Sequence, residues 1–199
     1  MLRARTTFGR TIALRGNMSG NKNNKKITHT AKECAFLAVF VAVVIAVQTA
    51  LSFVPGVELV TVLFVSYSFA MGSKRGMLAA TAFSFLRQFV FGFFPNVLVL
   101  YLVYYNLLTL GFGLLGKILQ NPIKRLPLIV GIACVGAVIF TLTDNILTPI
   151  WYGYSARATK AYFWASIPFM IPQVICTAVS VACLFLPIWK VLRGVYQKL

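Results

Sequence analysis

The sequence predicts an all-α membrane protein with six transmembrane helices and both termini in the cytoplasm. Of its 199 residues, 59% are hydrophobic and only 11% are charged, whereas a soluble domain carries about 25% charged residues. So few charges cannot cover a water-facing surface, which excludes a soluble fold. The net charge is +16, and the cations lie in the N-terminal segment and in short connections, as is typical of membrane proteins.

The N-terminal residues 1–30 are polar and basic and show no apolar periodicity, so we expect a disordered tail. Residues 1–17 contain four Arg and no acidic residue, a composition that fits a mitochondrial transit peptide. The other interpretation is an upstream extension that is not translated, with Met18 as the initiator, and we favour it. Residues 31–195 are then a six-helix integral membrane domain.

Six apolar segments are the predicted helices. A helix needs about 20 apolar residues to cross the ~30 Å hydrocarbon layer, and Pro, Gly or charged residues separate the segments. Residues 73–76 are predicted to form a tight turn and residues 150–161 the longest loop, and three prolines predict kinks in the last helix. The six segments are 34–54, 59–72, 77–91, 97–119, 128–148 and 162–192.

The distribution of Lys and Arg predicts the orientation of these helices. With both termini in the cytoplasm, only Arg87, Arg157 and Lys160 fall on the outer side, and the other 16 of the 19 cations fall on the inner side. This is the asymmetry that the positive-inside rule requires. No basic stripe lies within a folded region, so we expect no nucleic-acid partner.

The scarcity of titratable groups argues against an enzyme. The acidic residues are Glu33, Glu58 and Asp144, and the one histidine is His29 in the tail. General acid–base catalysis needs a positioned pair of such groups, and a metal site needs a cluster of them. The four cysteines form no CxxC pattern and are interpreted as small apolar residues. We therefore expect no catalytic residues, no metal and no cofactor.

The first helix carries alanines four residues apart, which places them on one face. Ala38, Ala42, Ala46 and Ala50 form one such row, and Ala31 and Ala35 form another. Small residues let a second helix approach closely in lipid. Two interpretations remain open: packing against the protein's own helices, or docking of a partner membrane protein.

Polar and aromatic residues gather near the predicted outer ends of the helices. Arg87 lies inside the third helix, where a charge is costly unless it reaches the headgroups, pairs, or faces a cavity. It could therefore pair with Glu58 or Asp144, or bind an anionic or carbonyl group of a solute. The aromatic residues near 89–94 and 151–164 fit either an interfacial belt or a stacking pocket for a flat organic molecule.

With these features the chain resembles the substrate-binding S component of energy-coupling-factor (ECF) vitamin transporters. The resemblance covers about residues 31–195 and rests on the layout of four segments. They are the alanine-spaced AKECAFLAVFVAVVIAVQTA, the outer turn VPGVELVT, the inner turn MGSKRGM and the segment FLRQFVFGFFPNVLVLYLVYYN.

The resemblance implies a function and partners. An S component binds a vitamin or similar nutrient on the outer face and docks onto a membrane coupling subunit that carries two ATPase subunits. The implied location is a bacterial plasma membrane. No GxxxxGK[ST] loop is present, so ATP would be used by those subunits. The alternatives are a stand-alone membrane facilitator or a structural membrane subunit.

The resemblance also assigns candidate residues. Docking would use the small residues of the first helix, and solute binding would use polar and aromatic residues near the outer ends. The docking residues are Ala31, Ala35, Ala38 and Ala42, and the solute-binding residues are Glu58, Arg87, Asn96, Asp144, Asn145, Trp151 and Tyr154.

Overall fold

The computed structural model describes residues 31–54, 57–119 and 121–197, so the predicted tail lies outside the described residues. The chain divides into two compact units, the first ending at Ala38 and the second comprising residues 39–198. The described residues 31–38 of the first unit form the beginning of helix α1, which runs from Ala31 to Leu51. All other described elements belong to the second unit.

Six helices account for the regular structure of the described residues, and no strand occurs among them. The predicted order of six helical segments is therefore confirmed. In sequence the helices are α1 (Ala31–Leu51), α2 (Val60–Met71), α3 (Ser73–Phe91), α4 (Pro95–Ile118), α5 (Leu126–Tyr152) and α6 (Ala156–Gln197).

Four of these helices, α1, α4, α5 and α6, are long and apolar enough to cross a membrane. Such a set indicates a membrane-embedded chain. Helix α2 is apolar but has only 12 residues, or about 18 Å at 1.5 Å per residue. Helix α3 has 19 residues but carries Lys74, Arg75 and Arg87, which make it too polar to join the four.

The short helix α2 lies in the core of the second unit. Ten of its 12 residues are buried, and it packs against α3, α4 and α6. Its sequence, VTVLFVSYSFAM, is rich in β-branched residues that favour strands in water. In an apolar environment a helix satisfies every backbone group internally, and this requirement overrides the residue preference.

Glycines shape the connection between α2 and α3 and its contact with α4. Gly72 alone links the two helices, with a left-handed φ of 85° and an N–H that donates to the Ser68 carbonyl at 2.8 Å. A Cβ atom on Gly113 of α4 would clash with the backbone of Ser73, and one on Gly116 would lie 2.5 Å from the Phe69 carbonyl oxygen. The end of α4 therefore packs directly against the backbone of this turn.

The prediction of a long loop over residues 150–161 is wrong. Helix α5 continues to Tyr152 and α6 begins at Ala156, so three residues connect them. Gly153 has a left-handed φ of 64°, and the Tyr154 N–H donates to the Pro149 carbonyl at 2.9 Å. The predicted turn over residues 73–76 is wrong as well, because these residues form the first turn of α3.

Helix α6 is a continuous helix of 42 residues that passes through Pro168, Pro172 and Pro187. At 1.5 Å per residue it is about 63 Å long, roughly twice the hydrocarbon thickness. Each proline removes one backbone hydrogen bond. Two of them lie four residues apart, so this part of α6 is held by fewer backbone bonds than the rest of the helix.

Candidate functional site

A cavity of about 320 Å³ opens in the second unit where five parts of the chain meet. We call it the Arg87 cavity. It lies between the end of α1, the segment before α2, the end of α3, the first two turns of α4, and α6. Its lining residues are Gln48, Leu51, Ser52, Val54, Val57, Glu58, Leu59, Val60, Arg87, Phe91, Tyr101, Phe169 and Gln173.

Arg87 is half-buried and is held in place by α1, α3 and α4. Its Nε–H donates to Gln48 Oε1 at 3.2 Å, and the Gln48 amide donates in turn to the Tyr101 hydroxyl at 3.3 Å. The guanidinium carbon lies 4.6 Å from the ring centre of Phe91 and 4.4 Å from that of Tyr101. Two aromatic contacts at this distance stabilise a cation and restrict its orientation.

The open interpretation that Arg87 pairs with Glu58 or Asp144 is not realised in the structure. Among the described residues, no carboxylate oxygen lies within 4.0 Å of the Arg87 guanidinium. Its Nε–H is the one donor with a protein acceptor there. A guanidinium has five N–H donors in a planar fork, so the two terminal nitrogens are available to a further acceptor.

Glu58 precedes α2 and lines the same cavity, with neutral donors on both carboxylate oxygens. The Tyr105 hydroxyl donates to Oε1 at 2.6 Å and the Gln173 amide to Oε2 at 2.9 Å. The Thr141 hydroxyl lies 3.3 Å from Gln173 Oε1. Hydrogen bonds to an ionised carboxylate are among the stronger ones in proteins, so this network fixes Glu58 between α4 and α6.

A second polar group surrounds Asp144 on α5. The Thr148 hydroxyl donates to Asp144 Oδ1 at 2.8 Å, and the Tyr162 hydroxyl donates to Oδ2 at 2.8 Å. Asn96 joins this group, because its amide lies 3.5 Å from the Thr148 hydroxyl. The Tyr152 hydroxyl donates to Asn96 Oδ1 at 3.3 Å. The network thus connects α4, α5 and the beginning of α6.

A separate cavity of about 290 Å³, which we call the Asp144 cavity, lies beside this network. It adjoins the Arg87 cavity, since Phe169 and Gln173 of α6 line both. The predicted solute-binding residues therefore fall into two neighbouring groups instead of one site. Glu58 and Arg87 belong to the first group, and Asp144 and Asn96 belong to the second.

Asn145, Trp151 and Tyr154, like Asn96, line neither cavity. Asn145 is buried and its amide donates to the Ser166 hydroxyl at 2.7 Å, a contact between α5 and α6. Trp151 is 49% exposed and Tyr154 is 43% exposed. The Tyr154 ring is stacked against that of Tyr152, with 6.2 Å between ring centres, and meets that of Tyr162 edge-on at 6.1 Å. Tyr154 thus lies next to the Asp144 group, and Trp151 lies on the surface.

The predicted docking residues lie along α1. Ala31, Ala35 and Ala38 belong to the first unit and Ala42 to the second. Within the second unit Ala42, Ala46 and Ala50 are exposed. The helix face that packs inward carries larger side chains, Phe40, Val41 and Val44, and the Phe40 ring stacks on Tyr67 at 4.0 Å. The alanines from residue 42 onward therefore do not form the internal packing face.

Four residues that line the Arg87 cavity or hold its charges were not among the predicted site residues: Gln48, Tyr101, Tyr105 and Gln173. Phe91 belongs to the aromatic residues near 89–94 that were expected to form either an interfacial belt or a stacking pocket, and it lines the cavity. Gln48 and Gln173 are polar residues inside apolar helices, which is the one sequence signal that could have marked them. Their partners are far away in sequence, 115 residues in the case of Gln173 and Glu58. Such pairings follow from tertiary packing and leave no local pattern.

The described residues contain no group of three or more His, Cys, Asp or Glu side chains that could hold a metal ion. Cys34, Cys134, Cys176 and Cys183 are free thiols. The polar groups of the two cavities are thus one guanidinium, two carboxylates, amides and hydroxyls. Such groups bind a small polar molecule by charge and hydrogen bonds.

The chain matches no protein-family model, and neither a curated protein nor a solved structure shows significant similarity to it.

Proposed function

We propose that this chain is the substrate-binding S component of an ECF-type transporter, which captures a vitamin-like small molecule on the outer face of a bacterial plasma membrane. The observation that carries the proposal is the Arg87 cavity, a polar pocket of about 320 Å³ within an apolar helical unit. Its volume falls in the range of small-molecule sites, which are mostly apolar with a few placed polar groups.

The membrane orientation is part of the proposal. All six helices cross the bilayer, with both termini in the cytoplasm and 16 of 19 cations on the inner side. The Arg87 cavity then opens toward the outer face. Helices α2 and α3 are the two that do not meet the length and apolarity of a membrane span. Their short or polar parts are tolerated where protein, and not lipid, surrounds them.

The proposed partners are a membrane coupling subunit and two ATPase subunits. The exposed alanine row of α1 supports this, because residues such as Ala42, Ala46 and Ala50 offer a smooth surface to another helix. Docking residues Ala31, Ala35 and Ala38 continue the same helix toward its beginning. In this scheme the chain binds the solute and is itself no enzyme, while the ATPases drive uptake.

Two experiments on the purified protein test this function. The first is a thermal-shift screen in detergent against water-soluble vitamins and nucleobases. A compound that binds only the folded state stabilises it by about 2.7 kcal/mol at a hundredfold excess over Kd. The second places the protein in vesicles, alone and with a coupling module and ATP, and measures uptake of the compound.

The outcomes separate the alternatives. An S component binds the compound and accumulates it only with the coupling module and ATP. Uptake by the chain alone, without ATP, identifies a stand-alone facilitator. A folded protein that binds none of the compounds, and whose addition to the coupling module does not change the uptake of those compounds, is identified as a structural membrane subunit. Either of the last two results refutes the proposal.

Docking is tested by bulky substitutions on the exposed alanine row. Ala42→Trp is expected to abolish ATP-driven uptake and leave solute affinity unchanged, and Ala38→Trp is expected to do the same. Val135→Trp is the matched control, because Val135 is 60% exposed on α5 and lies away from the row. Normal uptake by both alanine variants would show that this face is not the docking surface.

A further inference from the structure

Two opposite charges line one cavity without pairing to each other. Arg87 and Glu58 both border the Arg87 cavity, and among the described residues no carboxylate oxygen comes within 4.0 Å of the guanidinium. Opposite charges that line one cavity attract each other. Something in the structure must therefore hold them apart.

Separate hydrogen-bond networks keep the two charges in place. Glu58 accepts from Tyr105 of α4 and Gln173 of α6. Arg87 donates to Gln48 of α1 and lies between two aromatic rings. The two networks share helix α4 but no residue, so each charge is held by its own set of partners. The cavity thus has a positively charged side at Arg87 and a negatively charged side at Glu58.

Each charged group keeps unused hydrogen-bonding capacity. The terminal nitrogens of Arg87 have no acceptor among the described residues, and they form the fork that binds planar oxyanions with two parallel hydrogen bonds. Glu58 accepts one hydrogen bond at each oxygen, whereas a carboxylate has about four acceptor sites. Glu58 can therefore accept further N–H donors, and it repels a second anion.

We propose that the Arg87 cavity recognises a small amphoteric molecule, with a carboxylate bound by the Arg87 fork and an N–H donor facing Glu58. A volume of about 320 Å³ lies at the small end of the range of small-molecule sites, so the ligand is compact. The rings of Phe91 and Tyr101 favour a flat body. This inference rests on the proposed function, since it names the ligand chemistry of the same cavity.

The test uses three matched probes on the full chain in detergent: 4-aminobenzoate, 4-aminobenzamide and benzoate. The first has both required groups, the second lacks the carboxylate, and the third lacks the N–H donor. We expect 4-aminobenzoate to raise the melting temperature most. The affinities of the other two probes are expected to be about ten- to a hundredfold lower, which is the range of one lost charged hydrogen bond. A neutral amide that binds as well as the carboxylate, or no stabilisation by 4-aminobenzoate at millimolar concentration, overturns the inference.

Variants assign each preference to its charged side of the cavity. Arg87→Gln is expected to remove the preference for carboxylate over amide, and Arg87→Lys to restore part of it because the charge remains and the fork is lost. Glu58→Gln is expected to remove the preference of 4-aminobenzoate over benzoate. Arg157→Gln is the matched control, since Arg157 is an exposed cation at the beginning of α6. Ligand-free melting curves establish that each variant is folded.

Failure of this inference is distinguishable from failure of the proposed function. If a vitamin is taken up with the coupling module while the probe order is reversed, only the ligand chemistry is wrong. If the probes bind in the expected order but no ATP-driven uptake occurs with any bound compound, the S-component function is wrong and the charge recognition stands.

Discussion

Tyr105→Phe isolates one hydrogen bond in the centre of the second unit. The Tyr105 side chain is fully buried and its hydroxyl donates to Glu58 Oε1 at 2.6 Å. Its ring also contacts those of Phe64 and Tyr104, each with 5.0 Å between ring centres. Phenylalanine keeps these ring contacts. The substitution therefore removes the hydroxyl and leaves Glu58 with one neutral donor fewer.

The expected loss follows from the charge on the acceptor. Interhelical hydrogen bonds in membranes contribute about 0.6 kcal/mol on average, but a bond to a charged group contributes about 1.5–3 kcal/mol. The short distance and the burial place this bond in the second class. For a chain of this size, 1 kcal/mol corresponds to about 2–4 °C. We therefore expect the melting temperature to fall by about 3–12 °C.

The assay is thermal unfolding of the detergent-purified protein, followed by intrinsic fluorescence at one fixed scan rate. Tyr104→Phe is the matched control on the adjacent residue. The Tyr104 hydroxyl is buried, makes no hydrogen bond to Glu58 and interacts only weakly with the Thr61 side chain, so removing it is expected to cost about 0.6 kcal/mol or less. If both variants melt at the same temperature, or if Tyr104→Phe is the less stable, the Glu58 network does not stabilise the fold as we argue.

Three further predictions concern the backbone and the topology. Gly113→Ala is expected to destabilise the protein by about 1–3 kcal/mol by overpacking against Ser73. Gly111 has open space around it, so Gly111→Ala is expected to be neutral or stabilising by up to about 1 kcal/mol. Thermal melting compares the two variants, and equal effects would contradict the close packing at Gly113. Gly153 has a left-handed φ, so Gly153→Ala is expected to lower the free energy of unfolding by about 1–2 kcal/mol. Gly153→Asn is expected to lower it less, because Asn tolerates this conformation. An Asn variant no more stable than the Ala variant would argue against this geometry. The proposed orientation places the C-terminus in the cytoplasm, so a green fluorescent protein fused after residue 197 is expected to fluoresce and an alkaline phosphatase fused there to be inactive. The reverse result would refute the orientation.

Hydrophobic patterning was enough to place the six helices but not their ends. The fifth and sixth helices were predicted to stop at residues 148 and 192, yet α5 reaches Tyr152 and α6 extends from Ala156 to Gln197. A helix that emerges from lipid keeps its backbone hydrogen bonds while its side chains become polar. This explains α6, where the polar stretch around Arg157 resembled a loop. The end of α5 was predicted at residue 148 for another reason, because Pro149 follows, and this proline lies inside the helix.

The sequence was enough to predict the charged residues of the candidate site but not the residues that contact them. Glu58, Arg87 and Asp144 stand out because charges in apolar helices need a partner or a cavity. Their hydrogen-bond partners were invisible, since Tyr105 and Gln173 meet Glu58 only through the packing of α4 and α6. Asn106, a polar residue within the apolar α4, accepts a hydrogen bond from the Thr81 hydroxyl of α3 at 3.2 Å, because a polar side chain among apolar helices needs such a partner.

The length of α6 has a consequence for how the protein responds to its bilayer. Arg157 and Lys190 stand 33 residues apart on it, about 50 Å along the axis, against 40–45 Å for a bilayer with its headgroups. In the proposed orientation a thinner bilayer increases the tilt of this helix. Phe169 and Gln173 form the wall between the two cavities, next to two prolines where the helix bends most easily. If the cavities bind a solute as proposed, the affinity for that solute is therefore expected to depend on the acyl-chain length of the lipids, because the tilt of α6 moves the wall that the two cavities share.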